Sequence, residues 1–170
     1  MKERLIVADS CCDLTEEMKS KLDIELVPLT LQLDDVDYLD DENLDVDKYI
    51  EAMRNASSIK TAAPSPKLFM DKFEEAKEVF CVTLSGKLSA TYSNACLAKT
   101  MVLEKGKRLI HVFDTKSAAA SETLVALKLQ ECIDKKSSFA IEILLCSDEN
   151  YSNWKIPKYI KEGLEWLKED

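Results

Sequence analysis

Glycine and histidine are almost missing from this chain. Three glycines in 170 residues form no Gly-x-x-x-x-Gly-Lys run and no Gly-x-Gly-x-x-Gly, so neither common phosphate-cradling loop is present. The single histidine, His111, lies inside an apolar run. The six cysteines, Cys11, Cys12, Cys81, Cys96, Cys132 and Cys146, contain no Cys-x-x-Cys pair. No zinc set can be read from them, and no metal or cofactor is expected. A nucleophilic serine needs an adjacent base, and His111 reads as a satisfied core or surface residue rather than a catalyst; Gly86-Lys87-Leu88-Ser89-Ala90 has no closing glycine to make a nucleophile elbow. Basic residues are outnumbered, 23 to 32, for a net charge of −9. That balance argues against nucleic acid, whose affinity comes from cations on phosphates. No apolar run approaches the ~20 residues of a membrane span, and MKERLIVADS has no secretory apolar core. The expectation is a cytoplasmic protein with reduced thiols and no membrane insertion.

What is present is enough apolar residue, 46%, for one well-buried core. Leu5–Ala8, Ile24–Leu33, Val79–Leu84 and Leu109–Phe113 read as strands. Asp13 with Glu16 suggests a capping box opening a short helix to about Leu22. Asp34–Asp47 is strongly acidic. Asp41, Asn43 and Asp45 have calcium-loop spacing, but Val46 replaces the turn glycine and Ala52 the bidentate Glu, so a solvated turn or hairpin is the better reading. Val46, Tyr49, Ile50 and Met53 recur at helical spacing. Ser65-Pro66 starts a further helix, Ser89 or Thr91 another to about Leu103, and Ser117 another to about Asp134. Strands alternating with helices predict an α/β fold: an open, mostly parallel sheet with helices packed on it.

Three of these strands end in hydroxyls. Leu5–Ala8 runs into Asp9-Ser10, Val79–Leu84 into Ser85 with Ser89 and Thr91 behind, and Leu109–Phe113 into Asp114-Thr115 with Ser117 next. Ligands of open parallel sheets bind outside the carboxyl ends of strands, and helix starts attract anions. Hydroxyls and free amides suit a carboxylate and do not by themselves activate a nucleophile. Each hydroxyl is also an ordinary capping residue when taken singly, so the recurrence carries the reading. Asp9 and Asp114 are expected to orient loops by accepting backbone N–H bonds. Cys11-Cys12 reads as two small buried residues, with a redox role as the alternative.

The ordered segments Ile6-Val7-Ala8-Asp9-Ser10-Cys11-Cys12-Asp13-Leu14, Val27-Pro28-Leu29, Lys60-Thr61-Ala62-Ala63-Pro64-Ser65-Pro66, Leu84-Ser85-Gly86-Lys87-Leu88-Ser89-Ala90-Thr91-Tyr92 and Asp114-Thr115-Lys116-Ser117-Ala118 together resemble the DegV family of fatty-acid-binding proteins. The resemblance covers roughly residues 4–136. It implies a carrier that binds one long-chain fatty acid between two domains, the amino-terminal one holding the carboxylate with hydroxyls. It implies a kinase catalytic subunit as partner, which phosphorylates the bound acyl group, and no catalytic residues in the carrier itself. It places the ligand-binding threonine on Thr61 and the serine of the Leu-Ser element on Ser89. Ser10, Ser65 and Ser117 fall in neighbouring motif loops.

Ala62 and Ala90 depart from the family's serine and glycine, the first removing a donor and the second stiffening a helix start. The expected organisation is a DegV-like unit over 1–139 and a divergent tail over 140–170, in which Gly163–Lys168 resembles the opening of the family's second domain. A truncated chain of this kind would lack the second domain's wall. It would bind more weakly unless two copies self-associate or Trp154–Leu167 covers the tail, since each buried methylene is worth ~0.8 kcal/mol. The alternatives are a phosphoryl-transfer or sugar-ketone enzyme on a similar α/β fold, and an inert fragment.

Overall fold

The structure, a computed structural model, describes residues 1–146. The segments Trp154–Leu167 and Gly163–Lys168 lie outside the described residues. Seven strands and six helices follow in the order β1 (Lys2–Asp9), α1 (Glu16–Lys21), β2 (Ile24–Val27), β3 (Thr30–Leu33), β4 (Val36–Leu39), α2 (Val46–Asn55), β5 (Ile59–Ala62), α3 (Pro66–Phe73), β6 (Ala76–Thr83), α4 (Thr91–Lys105), β7 (Leu109–Asp114), α5 (Ala120–Asp134) and α6 (Phe139–Cys146).

The principal sheet is four-stranded and parallel, in the order β2-β1-β6-β7. β1 and β6 are central, so both faces of each are covered, and Leu5–Asp9 and Val79–Thr83 are buried without a break. Alternation divides their side chains between two cores. Leu5, Val7, Val79, Cys81, Ile110 and Val112 pack with Phe69, Phe73 of α3 and Ala95, Ala98 of α4. Ile6, Ala8, Phe80, Val82 and Phe113 pack with Val125, Ala126 and Leu129 of α5 on the other face. Helices on both faces of a parallel sheet make the α/β architecture expected from the sequence.

α6 docks on that second face. Phe139 stacks on Phe80 at 4.6 Å between ring centroids. Glu142, fully buried, accepts a hydrogen bond from Arg4 Nη1 at 2.8 Å, while Arg4 Nε donates to Glu78 at 2.7 Å.

A second, three-stranded antiparallel sheet, β4-β3-β5, was not foreseen. It corrects the reading of Ile24–Leu33 as one strand. Val27 ends β2, and Pro28, without an N–H to donate, marks the break. The Ser10 hydroxyl accepts the Leu29 N–H at 3.0 Å, turning the chain into β3 of the other sheet. The acidic stretch forms the β3–β4 hairpin, the turn after β4 and the start of α2. Thr61, expected in a loop, lies instead in β5, opposite Leu31. Thr15, not Asp13, caps α1, its hydroxyl accepting from Met18 N. The Asp13 carbonyl accepts from Thr123 Oγ1 of α5 at 2.6 Å. α5 begins at Ala120, three residues later than Ser117, because Ala119 adopts φ 58° and cannot be helical.

The candidate head-group site at the carboxyl edge of the sheet

The strand order steps outward in opposite senses, from β1 to β2 on one side and from β6 to β7 on the other, so the carboxyl ends of β1 and β6 flank the sheet's switch point, where open α/β sheets place ligands. Asp9 spans this point. Its Oδ1 accepts the Cys11 N–H at 3.0 Å and its Oδ2 accepts the Leu84 N–H at 2.8 Å, tying the β1 loop to the end of β6. The carboxyl is fully buried, and burial raises its pKa against the pull of those amides.

The β6 and β7 ends are joined as closely. Thr83 Oγ1 donates to the Phe113 carbonyl at 3.0 Å, and Thr115 Oγ1 donates to the Thr83 carbonyl at 2.8 Å. The Ser85 N–H donates to the Ser117 carbonyl at 2.7 Å. Asp114 Oδ1 accepts from both Gly86 N and Lys116 N at 3.0 Å. Both aspartates therefore act as loop orienters, as their positions suggested. Gly86 is closely packed: a Cβ there would stand 3.3 Å from Asp114 Oδ2 and from the Tyr92 ring, so those side chains would have to yield by a few tenths of an ångström.

Ser89 is half-buried at the mouth of α4. Its Oγ accepts the Thr91 N–H at 3.3 Å and shares a hydrogen bond with Thr91 Oγ1 at 2.8 Å. The Tyr92 and Ser93 amides that come next are first-turn donors without an intrahelical acceptor. Asn94, one turn on, donates from Nδ2 to the Pro64 carbonyl at 2.8 Å, which fastens the 61–66 segment beside this helix start. Ser65 is the N-cap of α3 as expected, but its hydroxyl makes no capping bond and is exposed. Ser10 is committed to Leu29, and the Ser117 backbone to Ser85 and Thr115. The structure thus gathers the Ser10, Ser89 and Ser117 loops along one sheet edge through Asp9, Asp114 and the threonines. The 61–66 segment joins them through Asn94.

Thr61 stands on an apolar face. The register of β3 with β4 and β5 puts Leu31, Leu33, Val36, Tyr38, Ile59 and Thr61 on the same side of the small sheet. Ile59 is 54% exposed there, and Tyr49 of α2 meets Tyr38 edge to face at 5.2 Å.

Sequence reasoning missed Asn94 and Glu122. Glu122 had a visible signal: it shares the buried stripe of α5 with Val125, Ala126 and Leu129, where a carboxyl is out of place. The cysteines of the first loop are poor nucleophiles. Burial, with the nearby carboxylates adding to it, pushes the Cys11 thiol up to about 12. Burial likewise takes Cys12 to about 12. His111, edge-on to Phe113, is held near pKa 4 by burial and then by Lys99, so it is neutral at pH 7. Among the described residues, no helix is long and apolar enough to cross a membrane.

Comparison with known proteins agrees with this geometry. A family model described as an uncharacterised protein of the DegV family matches residues 4–154. A DegV domain-containing protein of Streptococcus pneumoniae is 39% identical over 138 residues, which are 79% of this chain and 49% of that protein. Solved structures are similar too, among them two with a bound fatty acid. One is a DegV family protein from Ruminococcus gnavus with vaccenic acid (TM-score 0.80, 34% identity, 84% of this chain and 52% of that one). The other is the Streptococcus pneumoniae fatty acid kinase (Fak) B3 protein loaded with linoleic acid (TM-score 0.78, 34% identity, 85% and 53%). The chain spans about half the length of the curated relatives it matches. On this match, and on the strand-end loops that carry its motifs, the chain belongs to the DegV family.

Proposed function

We propose that this chain binds the carboxylate of a long-chain fatty acid with the hydroxyl loops at the carboxyl edge of its parallel sheet, and is a cytoplasmic carrier rather than an enzyme. Thr61 and Ser89 are the leading head-group contacts, with Ser10, Ser65 and Ser117 in the surrounding loops. The observation that carries the reading is the convergence of these loops at the switch point, beside the open amides of α4. A carboxylate there would accept from the Ser89 hydroxyl and the Tyr92 and Ser93 amides, and a helix start favours its charge. The related proteins solved with vaccenic and linoleic acid support the same ligand class.

Beyond the head group, the acyl chain runs over the face that Thr61 shares with Leu31, Tyr38 and Ile59, gaining ~0.8 kcal/mol for each methylene it buries. The chain presents the acid to a fatty acid kinase catalytic subunit, a role suggested by the relative that is itself a fatty acid kinase B protein. Native mass spectrometry of the purified chain, alone and with added oleate or palmitate, tests the binding. A one-to-one complex is expected. No co-purified lipid and no shift on addition would overturn the proposal.

A further inference from the structure

Glu122 has no solvent exposure, and neither of its carboxyl oxygens makes a hydrogen bond of good geometry among the described residues, the Ala119 N–H reaching it only weakly. Its immediate neighbour is Asp9, equally buried and within hydrogen-bond reach. Both Asp9 oxygens already accept backbone N–H groups, from Cys11 and Leu84. Asp9 is therefore fixed as an acceptor. Two ionised carboxylates in contact away from water would repel strongly. The other titratable groups that bear on Glu122 are Asp13, Cys11 and Cys12 from the β1–α1 loop and Cys81 from β6, and none of these is a cation. One proton between the two carboxyls resolves the repulsion and satisfies an orphaned oxygen.

We propose that Glu122 keeps its proton and donates it to Asp9, and that this shared proton positions the start of α5 against the β1 and β6 loops of the head-group site. Glu122 is a positioning residue, and its role in ligand binding rests on the reading of those loops given above. The contact has a neighbour that works in the same sense: Thr123 Oγ1 donates to the Asp13 carbonyl at 2.6 Å and lies 3.7 Å from Cys12 Sγ. The first turn of α5 is thus held to the β1 loop by two adjacent side chains, one of which can ionise. Ala119, in a left-handed conformation just before that turn, makes the segment that carries Ser117 dependent on such ties.

Burial, and then the charge of Asp9, lifts the Glu122 carboxyl to about 9. The folded chain then holds a proton that the unfolded chain, ionised above pH 4.5, releases. Stability from this group is complete below pH 4.5 and is lost as pH rises toward 9.

Carbon-13 NMR of chain labelled at glutamate side-chain carboxyls reads the proton directly. One resonance is expected to titrate near pH 9, and to be missing in Glu122→Gln. If every glutamate titrates in the ordinary range, the proposal fails, whatever the ligand does. Oleate binding between pH 7 and 10 is the second readout. The native chain should lose affinity by up to about tenfold per pH unit once Glu122 ionises, whereas Glu122→Gln, which keeps a donor for Asp9, should hold a flat profile. Equal pH profiles in the two proteins would overturn the positioning role. If neither binds oleate while the high-titrating resonance is present, the head-group reading fails and the shared proton stands. Should Glu122→Gln not fold, the native carboxyl titration alone decides.

Discussion

Replacing Ser89 by alanine separates a ligand contact from a local turn contact. In the free chain the Ser89 oxygen accepts the Thr91 N–H at 3.3 Å and bonds Thr91 Oγ1 at 2.8 Å. Losing a hydrogen bond of this kind costs about 0.5–1.5 kcal/mol, and water can replace it because the residue is half-exposed. A domain of ordinary stability, about 5–15 kcal/mol, stays folded under that loss. A hydrogen bond to a charged carboxylate is worth more, about 1.5–3 kcal/mol, and at 1.4 kcal/mol per decade that is a loss of roughly 10- to 150-fold in affinity. Displacement of a fluorescent polyene fatty acid by oleate measures the affinity, and urea unfolding of the ligand-free variant measures the lost contact with Thr91. The expected result is a loss of at least tenfold in affinity with a small shift in urea midpoint. An affinity within twofold of native, with the midpoint lowered, would show that Ser89 only braces the turn before α4 and does not meet the ligand.

Two further substitutions probe the surroundings. Ile59→Asp places a charge on the exposed apolar face beside Thr61 and should leave folding intact. It should weaken palmitate by ten-fold or more in the displacement assay while barely changing octanoate, and equal losses for both would remove that face as the acyl path. Ala119→Gly relieves a left-handed φ of 58° at the start of α5. Such strain costs of order 1–3 kcal/mol against about 0.5–1 kcal/mol of added chain entropy, so the variant should unfold at a higher urea concentration than native.

The parallel sheet was legible because its strands are buried on both faces and read as unbroken apolar runs, as Leu5–Ala8 and Val79–Leu84 do. The small sheet was not. β4 and β5 are short and largely exposed, Val36, Leu39 and Ile59 among them, so neither alternation nor burial marks them. Ile24–Leu33 looked continuous because the break depends on a distant group, the Ser10 hydroxyl, taking the N–H of Leu29. The Asp13 capping box failed because Thr15, two residues on, caps α1 with its own hydroxyl, and two capping residues so close together cannot be ranked from the local pattern. At the site, the hydroxyls and the two orienting aspartates were visible as strand-end residues. The contacts that draw their loops together, Asn94 to Pro64 and Ser85 to Ser117, join residues about 30 positions apart and have no local signature.

The binding of a fatty acid head group at the sheet's carboxyl edge is tested most directly by backbone amide NMR of the chain titrated with oleate. The largest shifts are expected at Cys11, Thr61, Gly86–Ser93 and Lys116–Ala119, with the Tyr92 and Ser93 amides moving downfield as they meet the carboxylate. Shifts confined to the acidic β3–β4 hairpin and α2, or no shifts at saturating oleate, would contradict the account.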